Sequence, residues 1–156
     1  MTRWLEEDEL RAWMRLAGVM LKLAPALDSQ LQRDSDLTHF DYLCLAMLSE
    51  TDERTLPMSE LAGRTNSSLS RLSHVVSKLE RRDWVRRAPS PRSRRVTLVS
   101  LTETGWEVLV KAAPGHVETV RELVFDDLSP EDVAALSRVA GHIVERIEES
   151  RLKSTC

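Results

Sequence analysis

Hydrophobic periodicity changes only once along this chain. Over most of its 156 residues apolar side chains return every three or four positions, the spacing of one helix face, but between residues 84 and 101 two short β-type runs flank the tip PSPRSR. The runs are Trp84 to Ala88 and Val96 to Leu101, and the two prolines and two serines between them suit a turn. Val96, Leu98 and Leu101 are expected to form the inner face of the second run. One hairpin among helices predicts a mainly α fold with a small β-hairpin. At 156 residues a single domain is expected, burying roughly two thirds of its unfolded surface.

The helices can be placed from their stripes and caps. Leu10, Trp13, Met14, Ala17, Met20, Leu21, Ala24, Leu27 and Leu31 make one stripe of a helix over about residues 5 to 33, which Pro25 should bend. Thr38, with Asp41 three residues on, resembles a capping box that opens a second helix with Phe40, Leu43, Cys44, Met47 and Leu48 inward. A polar loop, Glu50 to Thr55, leads to Pro57 and Met58, which start a short helix, MSELAGR, with Leu61 and Ala62 inward. Asn66, Ser67 and Ser68 are N-cap candidates for a helix over about residues 68 to 82, whose narrow seam is Leu69, Leu72, Val75, Val76 and Leu79. Beyond the hairpin, Trp106, Leu109, Val110, Ala113, Val117, Val120 and Val124 recur at helical spacing, with Pro114 and Gly115 expected to kink or break the helix. In the last helix Ser129 caps, Pro130 takes the first position, Glu131 and Asp132 follow, and Val133, Leu136, Val139, Ala140, Ile143, Val144 and Ile147 form the stripe. No internal repeat is visible.

Charge is as unevenly distributed as periodicity. The formal net charge is −3, a total that on its own argues against a polyanionic partner. Residues 64 to 95 reverse it: ten basic side chains stand against two acidic ones, a net of +8, while residues 1 to 63 carry −6 and residues 96 to 156 carry −5. The basic segment coincides with the fourth helix and the hairpin. Opposite its apolar seam that helix presents Ser70, Arg71, Ser73, His74, Ser77, Lys78 and Arg81, a small, polar and cationic face suited to base edges and phosphates. Arginine suits the hairpin tip because a guanidinium tolerates partial dehydration in a narrow, electronegative minor groove. Short helix, turn, basic helix and hairpin, in that order, are the parts of a winged helix-turn-helix.

These segments resemble the MarR (multiple antibiotic resistance regulator) family. MSELAGRT is similar to its short helix, SSLSRLSHVVSKLERRDWVRR to its recognition helix and first wing strand, SPRSRRVTLVSLTETG to its wing and the LTxxG start of the next helix, and LTHFDYLCLAML to its second helix. The resemblance implies a single domain over residues 1–156, with a winged helix-turn-helix lobe at 37–101 and a helical dimerisation lobe at 1–34 and 102–156. It implies a homodimeric transcription regulator, usually a repressor, that binds double-stranded DNA at pseudo-palindromic operators. Such regulators are often released by a small anionic or phenolic effector or by thiol oxidation. Carried over by position, Ser70, Arg71, Ser73, His74 and Lys78 would face the major groove, and Arg92, Arg94 and Arg95 would be the wing contacts. Arg71, near the helix start, is best placed for a bidentate guanine contact. Lys78, Arg81, Arg86 and Arg87 are phosphate candidates, each equally readable as a solvated surface charge. Two positions depart from the family. Asp83 stands where it usually has a glycine ending the recognition helix, and Ser93 where it has an Asp two residues before the key wing arginine, so Arg94 and Arg95 share that candidacy.

Other features bound the function. There is no GxSxG and no phosphate-binding glycine loop, and His39, His74, His116 and His142 stand apart without ligand spacing, so no enzyme, metal site or cofactor is expected. His39 and Asp41 share a helix start, where capping is the simpler role. No apolar stretch approaches the ~20 residues of a membrane span, and Met1 to Glu9 is acidic rather than a basic signal region, so a cytoplasmic protein is expected. Cys44 and Cys156 make no disulfide framework, and Cys44 reads as a small buried hydrophobe rather than a redox thiol. Trp84 reads as a core anchor between helix and wing. The first and last helices carry more apolar stripe than one compact monomer would cover, which points to a symmetry mate holding two recognition helices one DNA turn, ~34 Å, apart. Where the first and second helices meet the helix after the wing, Trp13, Leu16, His39 and Tyr42 are candidates for a ligand pocket and serve equally as core. A winged helix that binds protein is the rival reading, and +8 on the wing segment argues against it.

Overall fold

The computed structural model describes residues 1–154. Helices α1 (Glu7–Ser35), α2 (His39–Ser49), α3 (Met58–Arg64), α4 (Leu69–Arg81), α5 (Glu103–Val120) and α6 (Pro130–Ser154) accompany strands β1 (Thr55–Pro57), β2 (Val85–Ser90) and β3 (Ser93–Leu101). The architecture is mainly helical with one small antiparallel sheet in the order β1-β3-β2. The chain divides into two compact units, Met1–Thr119 and Val120–Cys156, described in turn.

In the first unit side chains set the starts of α2 and α4. The Thr38 hydroxyl accepts the Asp41 N–H while the Asp41 carboxylate accepts the Thr38 N–H, both at 3.0 Å, so two orphan donors of α2 are satisfied reciprocally. Ser68 caps α4, its hydroxyl accepting the Arg71 N–H at 3.2 Å. The inner seam of α4, Leu72, Val76 and Leu79, is fully buried against Leu45 and Leu48 of α2, Leu61 of α3, and Val85 and Val99 of the sheet. Burying each such side chain stabilises the fold by roughly 1.5–3 kcal/mol, which makes this seam the glue between α4 and its scaffold.

The sheet differs from expectation in three ways. Thr55–Pro57, expected as the end of a polar loop and a helix start, is a third strand pairing Leu56 with Val99 of β3. Three residues are too few to display a period of two. The expected six-residue tip is shorter, because β2 and β3 stay paired until Ser90 meets Ser93, with an irregularity in register after Pro89. Pro89 is tolerated because β2 is an edge strand, where a missing donor breaks no second ladder. The inner face of β3 is Val99 and Leu101, with Leu98 half-buried and Val96 exposed, since strict alternation cannot bury residues of opposite parity together.

Between α4 and β2 the chain turns through Asp83 at φ 56°, so aspartate here occupies the left-handed position usually given to glycine. Thr102 fastens this turn from the other side of the sheet. Its hydroxyl donates to the Asp83 carbonyl at 2.6 Å and accepts the Gly105 N–H at 3.0 Å, and its own N–H donates to the Trp84 carbonyl at 3.0 Å. A Cβ at Gly105 would lie 2.1 Å from that Trp84 carbonyl oxygen, which explains the glycine of LTETG as a demand for close approach. Trp84 itself is buried beneath the turn.

Helix α1 continues without interruption through Pro25, and only Leu27, Gln30 and Leu31 of it are buried. Helix α5 likewise runs unbroken through Pro114 and Gly115, against expectation. A proline removes a single helical hydrogen bond, and both residues are exposed, where water can compensate a freed carbonyl. In the second unit a π-helical turn, Arg121–Phe125, closes with the Asp126 N–H on the Arg121 carbonyl at 2.9 Å. Ser129 and Asp132 then exchange hydrogen bonds at the start of α6. Its stripe, including Val133, Leu136, Val139, Ile143, Val144 and Ile147, is exposed along its length. Among the described residues no helix is long and apolar enough to cross a membrane. Cys156 lies outside the described residues.

Candidate nucleic-acid interface

Two elements of the first unit carry the cationic surface. The Ser68 cap starts α4 so that Ser70, Arg71 and His74 are exposed, with Ser73 and Lys78 half-buried. The Arg71 guanidinium lies 4.4 Å over the Phe40 ring, a contact that orients the side chain while leaving its donors accessible. On the wing, Arg92, Arg94 and Arg95 are all exposed and make no side-chain hydrogen bond or ion pair among the described residues. The Ser90 and Ser93 hydroxyls instead accept the backbone N–H groups of Arg92 and Arg95, at 3.3 and 3.4 Å. Ser93 thus shapes the turn and leaves the arginine side chains unpinned. Arg86 is exposed, 3.6 Å from Asp83.

Three other cations of the same segment are committed to carboxylates of this chain. Lys78, expected on the groove-facing surface, bonds the buried Asp41 carboxylate at 2.6 Å and ties α4 to the start of α2. The reason is Asp41 itself: capping α2 places its charge inside the fold, where an unpaired carboxylate is costly. Arg87 reaches back from β2 to Glu80 at 2.8 Å and to the Ser77 hydroxyl at 2.9 Å, so the hairpin is braced on α4. The Arg87 backbone N–H, more than its guanidinium, holds the Glu80 carboxyl below its ordinary value. Arg82 bonds Asp36 at 2.9 Å and covers Trp84 at 3.7 Å. Sequence reasoning did not reveal this bracing, although Ser73, Ser77 and Glu80, at spacings of four and three, share the helix face turned to β2.

The candidate pocket residues separate. Tyr42 is in the core, its ring 4.3 Å from that of His116 on α5, and His39 lies 5.7 Å from the same imidazole. Burial lowers both histidine pKa values; Asp28 partly opposes this at His39, and His39 adds to it at His116. A cleft of about 400 Å³ nearby is lined by Pro25, Asp28, His39, Phe40, Leu43 and Arg71 among others. Trp13 and Leu16 are exposed on α1 and belong to neither this cleft nor the core. Cys44 is fully buried, and burial first, with Asp41 second, pushes its thiol up to about 12, which disfavours the thiolate that redox chemistry requires. Among the described residues no group of three or more potential ligands could hold a metal.

Comparison with known proteins places the fold in a family. The MarR family model matches residues 37–97, the stretch from the start of α2 into the wing. The crystal structure of Sco3205, a MarR family transcriptional regulator from Streptomyces coelicolor in complex with DNA, is 41% identical, covers 93% of this chain and 91% of its own, and superposes with a TM-score of 0.89. The HTH-type transcriptional regulator YdcH of Bacillus subtilis (strain 168) is 31% identical over 119 residues, 74% of this chain and 71% of that protein. The transcriptional repressor MprA of Escherichia coli (strain K12) is 25% identical over 108 residues, 69% of this chain and 61% of that protein. The chain therefore belongs to the MarR family, whose members regulate transcription and are not enzymes.

Proposed function

We propose that the chain acts as a homodimeric, sequence-specific regulator of double-stranded DNA, a repressor at a pseudo-palindromic operator. Residues 37–101 would dock on DNA, with α4 in the major groove and the β2–β3 tip against the backbone or minor groove, and residues 1–34 and 102–156 would dimerise. One observation carries this reading: the +8 segment coincides with an exposed α4 face and a wing whose arginines 92, 94 and 95 lack side-chain partners among the described residues. The DNA complex of Sco3205 supports the partner, and the repressor MprA supports the sign of regulation. Apolar side chains exposed on α1, such as Trp13, Met14 and Met20, and the exposed stripe of α6 support a symmetry mate as their cover.

Selection of bound fragments from a random duplex pool, followed by titration at several salt concentrations, tests it. Arg71→Ala is expected to relax preference at one position of the half-site, a loss of about 1–3 kcal/mol of discrimination. Replacing Arg94 and Arg95 together is expected to weaken all duplexes and to flatten the salt slope by about 0.9 for each phosphate no longer neutralised. Unchanged binding in both variants sinks the assignment. A second reading, release by a small anionic or phenolic effector, is favoured by the cleft that contains Arg71 and His39, whose size suits a small molecule. Aromatic carboxylates without effect on operator binding at millimolar concentration would count against it.

A further inference from the structure

The surface formed by α4 and the wing is mostly polar and cationic, with an apolar exception at the start of α4. Leu69, the first residue of α4, is 55% exposed and adjoins the exposed Ser70 and Arg71. It opens onto a recess of about 340 Å³ between α3, α4 and β3, with Met58, Ser73, Arg87, Arg95 and Val96 among the other walls. Leu69 contributes little to the fold where it stands. The helix start is already satisfied by the Ser68 hydroxyl, and the seam of Leu72, Val76 and Leu79 is fully buried without it. An exposed aliphatic group at the mouth of a partly apolar recess gains by packing against an apolar group of the partner that docks there.

The chemistry of the recess narrows that counterpart. Two guanidinium groups border it, but Arg87 is held by Glu80 and Ser77, so an anion would find Arg95 alone. The apolar walls, Leu69, Met58 and Val96, ask instead for a small hydrocarbon group. On the major-groove edges of base pairs the one projecting hydrocarbon group is the C5 methyl of thymine. We propose that Leu69, at the mouth of this recess, receives a thymine methyl, so that α4 reads a thymine in the same half-site that Arg71 addresses. This inference rests on the docking of α4 in the major groove. It adds an apolar reader to a face otherwise built for hydrogen bonds.

Deoxyuridine supplies the test, because it removes the methyl and leaves the hydrogen-bonding edges unchanged. A duplex selected by the wild-type protein is remade with deoxyuridine at one thymine at a time. At one thymine per half-site the wild type is expected to lose about fourfold in affinity, the worth of one buried methyl group. Leu69→Ala, its folding checked by circular dichroism, should bind the thymine and deoxyuridine duplexes equally there, and Leu69→Met should recover the difference. A wild type that prefers its selected duplex over random sequence but ignores every deoxyuridine overturns the inference and leaves the docking intact. Full discrimination retained by Leu69→Ala overturns it as well. No preferred duplex at all overturns both together. If the deoxyuridine series is flat and benzene shifts the Leu69 and Val96 methyl resonances, the recess takes a small molecule and the inference falls.

Discussion

Lys78, Arg82 and Arg87 carry the same formal charge as Arg92, Arg94 and Arg95 and lie in the same basic segment, yet their surroundings are opposite. Each of the first three meets a carboxylate, at 2.6, 2.9 and 2.8 Å respectively. The second three are exposed and their side chains have no hydrogen bond or ion pair among the described residues, while the backbone N–H groups of Arg92 and Arg95 donate to Ser90 and Ser93. A run of basic residues is therefore not one surface. Lys78 and Arg87 are neutralised because a buried or half-buried carboxylate demands a partner, whereas Arg82 meets the exposed Asp36, and the three pairs brace α4 against its neighbours. Cations on the two-stranded tip have no such neighbour among the described residues and remain available to a polyanion. Their availability depends on the bracing behind them.

The comparison can be broken most forcefully at Lys78. Lys78→Ala leaves Asp41, which is 2% exposed, with a buried charge and no cation. Because the lysine is itself partly exposed, water screens some of the pair, and the expected loss is about 2 kcal/mol, read as a lower urea midpoint at unchanged m-value. A midpoint equal to that of the wild type would put Lys78 among the free cations.

A smaller effect is expected at Arg87, where Arg87→Ala removes charge-assisted bonds to Glu80 and a bond to Ser77, about 1.5 kcal/mol in all. This change also has a pH signature. The folded Glu80 carboxyl titrates below its ordinary 4.5, held there first by the Arg87 backbone N–H and then by its side chain. Its contribution is therefore complete above pH 4.5 and is lost as pH falls through the lower folded value. Since the backbone bond survives in the variant, the acid limb of stability against pH should become shallower without disappearing. Wild-type and variant curves that stay parallel would deny the side chain its share.

The smallest effect belongs to the tip. Changing Arg92, Arg94 and Arg95 together to Gln should alter stability by less than about 0.5 kcal/mol, because surface substitutions that break no bond within the chain leave the fold nearly unaffected. Thermal or urea unfolding checks this directly. A loss well above 1 kcal/mol would mean that the wing arginines belong to the platform after all.

How far the fold was legible follows from the same distinction. The Thr38–Asp41 box, the Ser68 and Ser129 caps and the seam of α4 were visible because local spacing and local hydrogen bonds decide them. Strand β1 was not, because its only reason to exist is a partner more than 40 residues away, Val99 opposite Leu56. Pro114 differs for the opposite reason. A local rule predicts a break there, and the continuous helix prevails in context. Within the site, Arg71 and the wing arginines stand where their spacing placed them, whereas Lys78 is drawn inward by Asp41, a residue whose spacing marks it only as a cap.

By itself the amino-acid sequence determined the order of the helices and the hairpin, the place of the basic segment and the capped helix starts, all properties of neighbours a few positions apart. Tertiary structure alone decided which of those charges would be free. An ion pair between residues 41 and 78, or between 80 and 87, forms only when packing brings distant or differently structured segments within about 3 Å, and burial sets whether a charge must be paired. The same packing left Leu69 uncovered at the edge of the recognition face, a feature its place in the apolar seam had concealed.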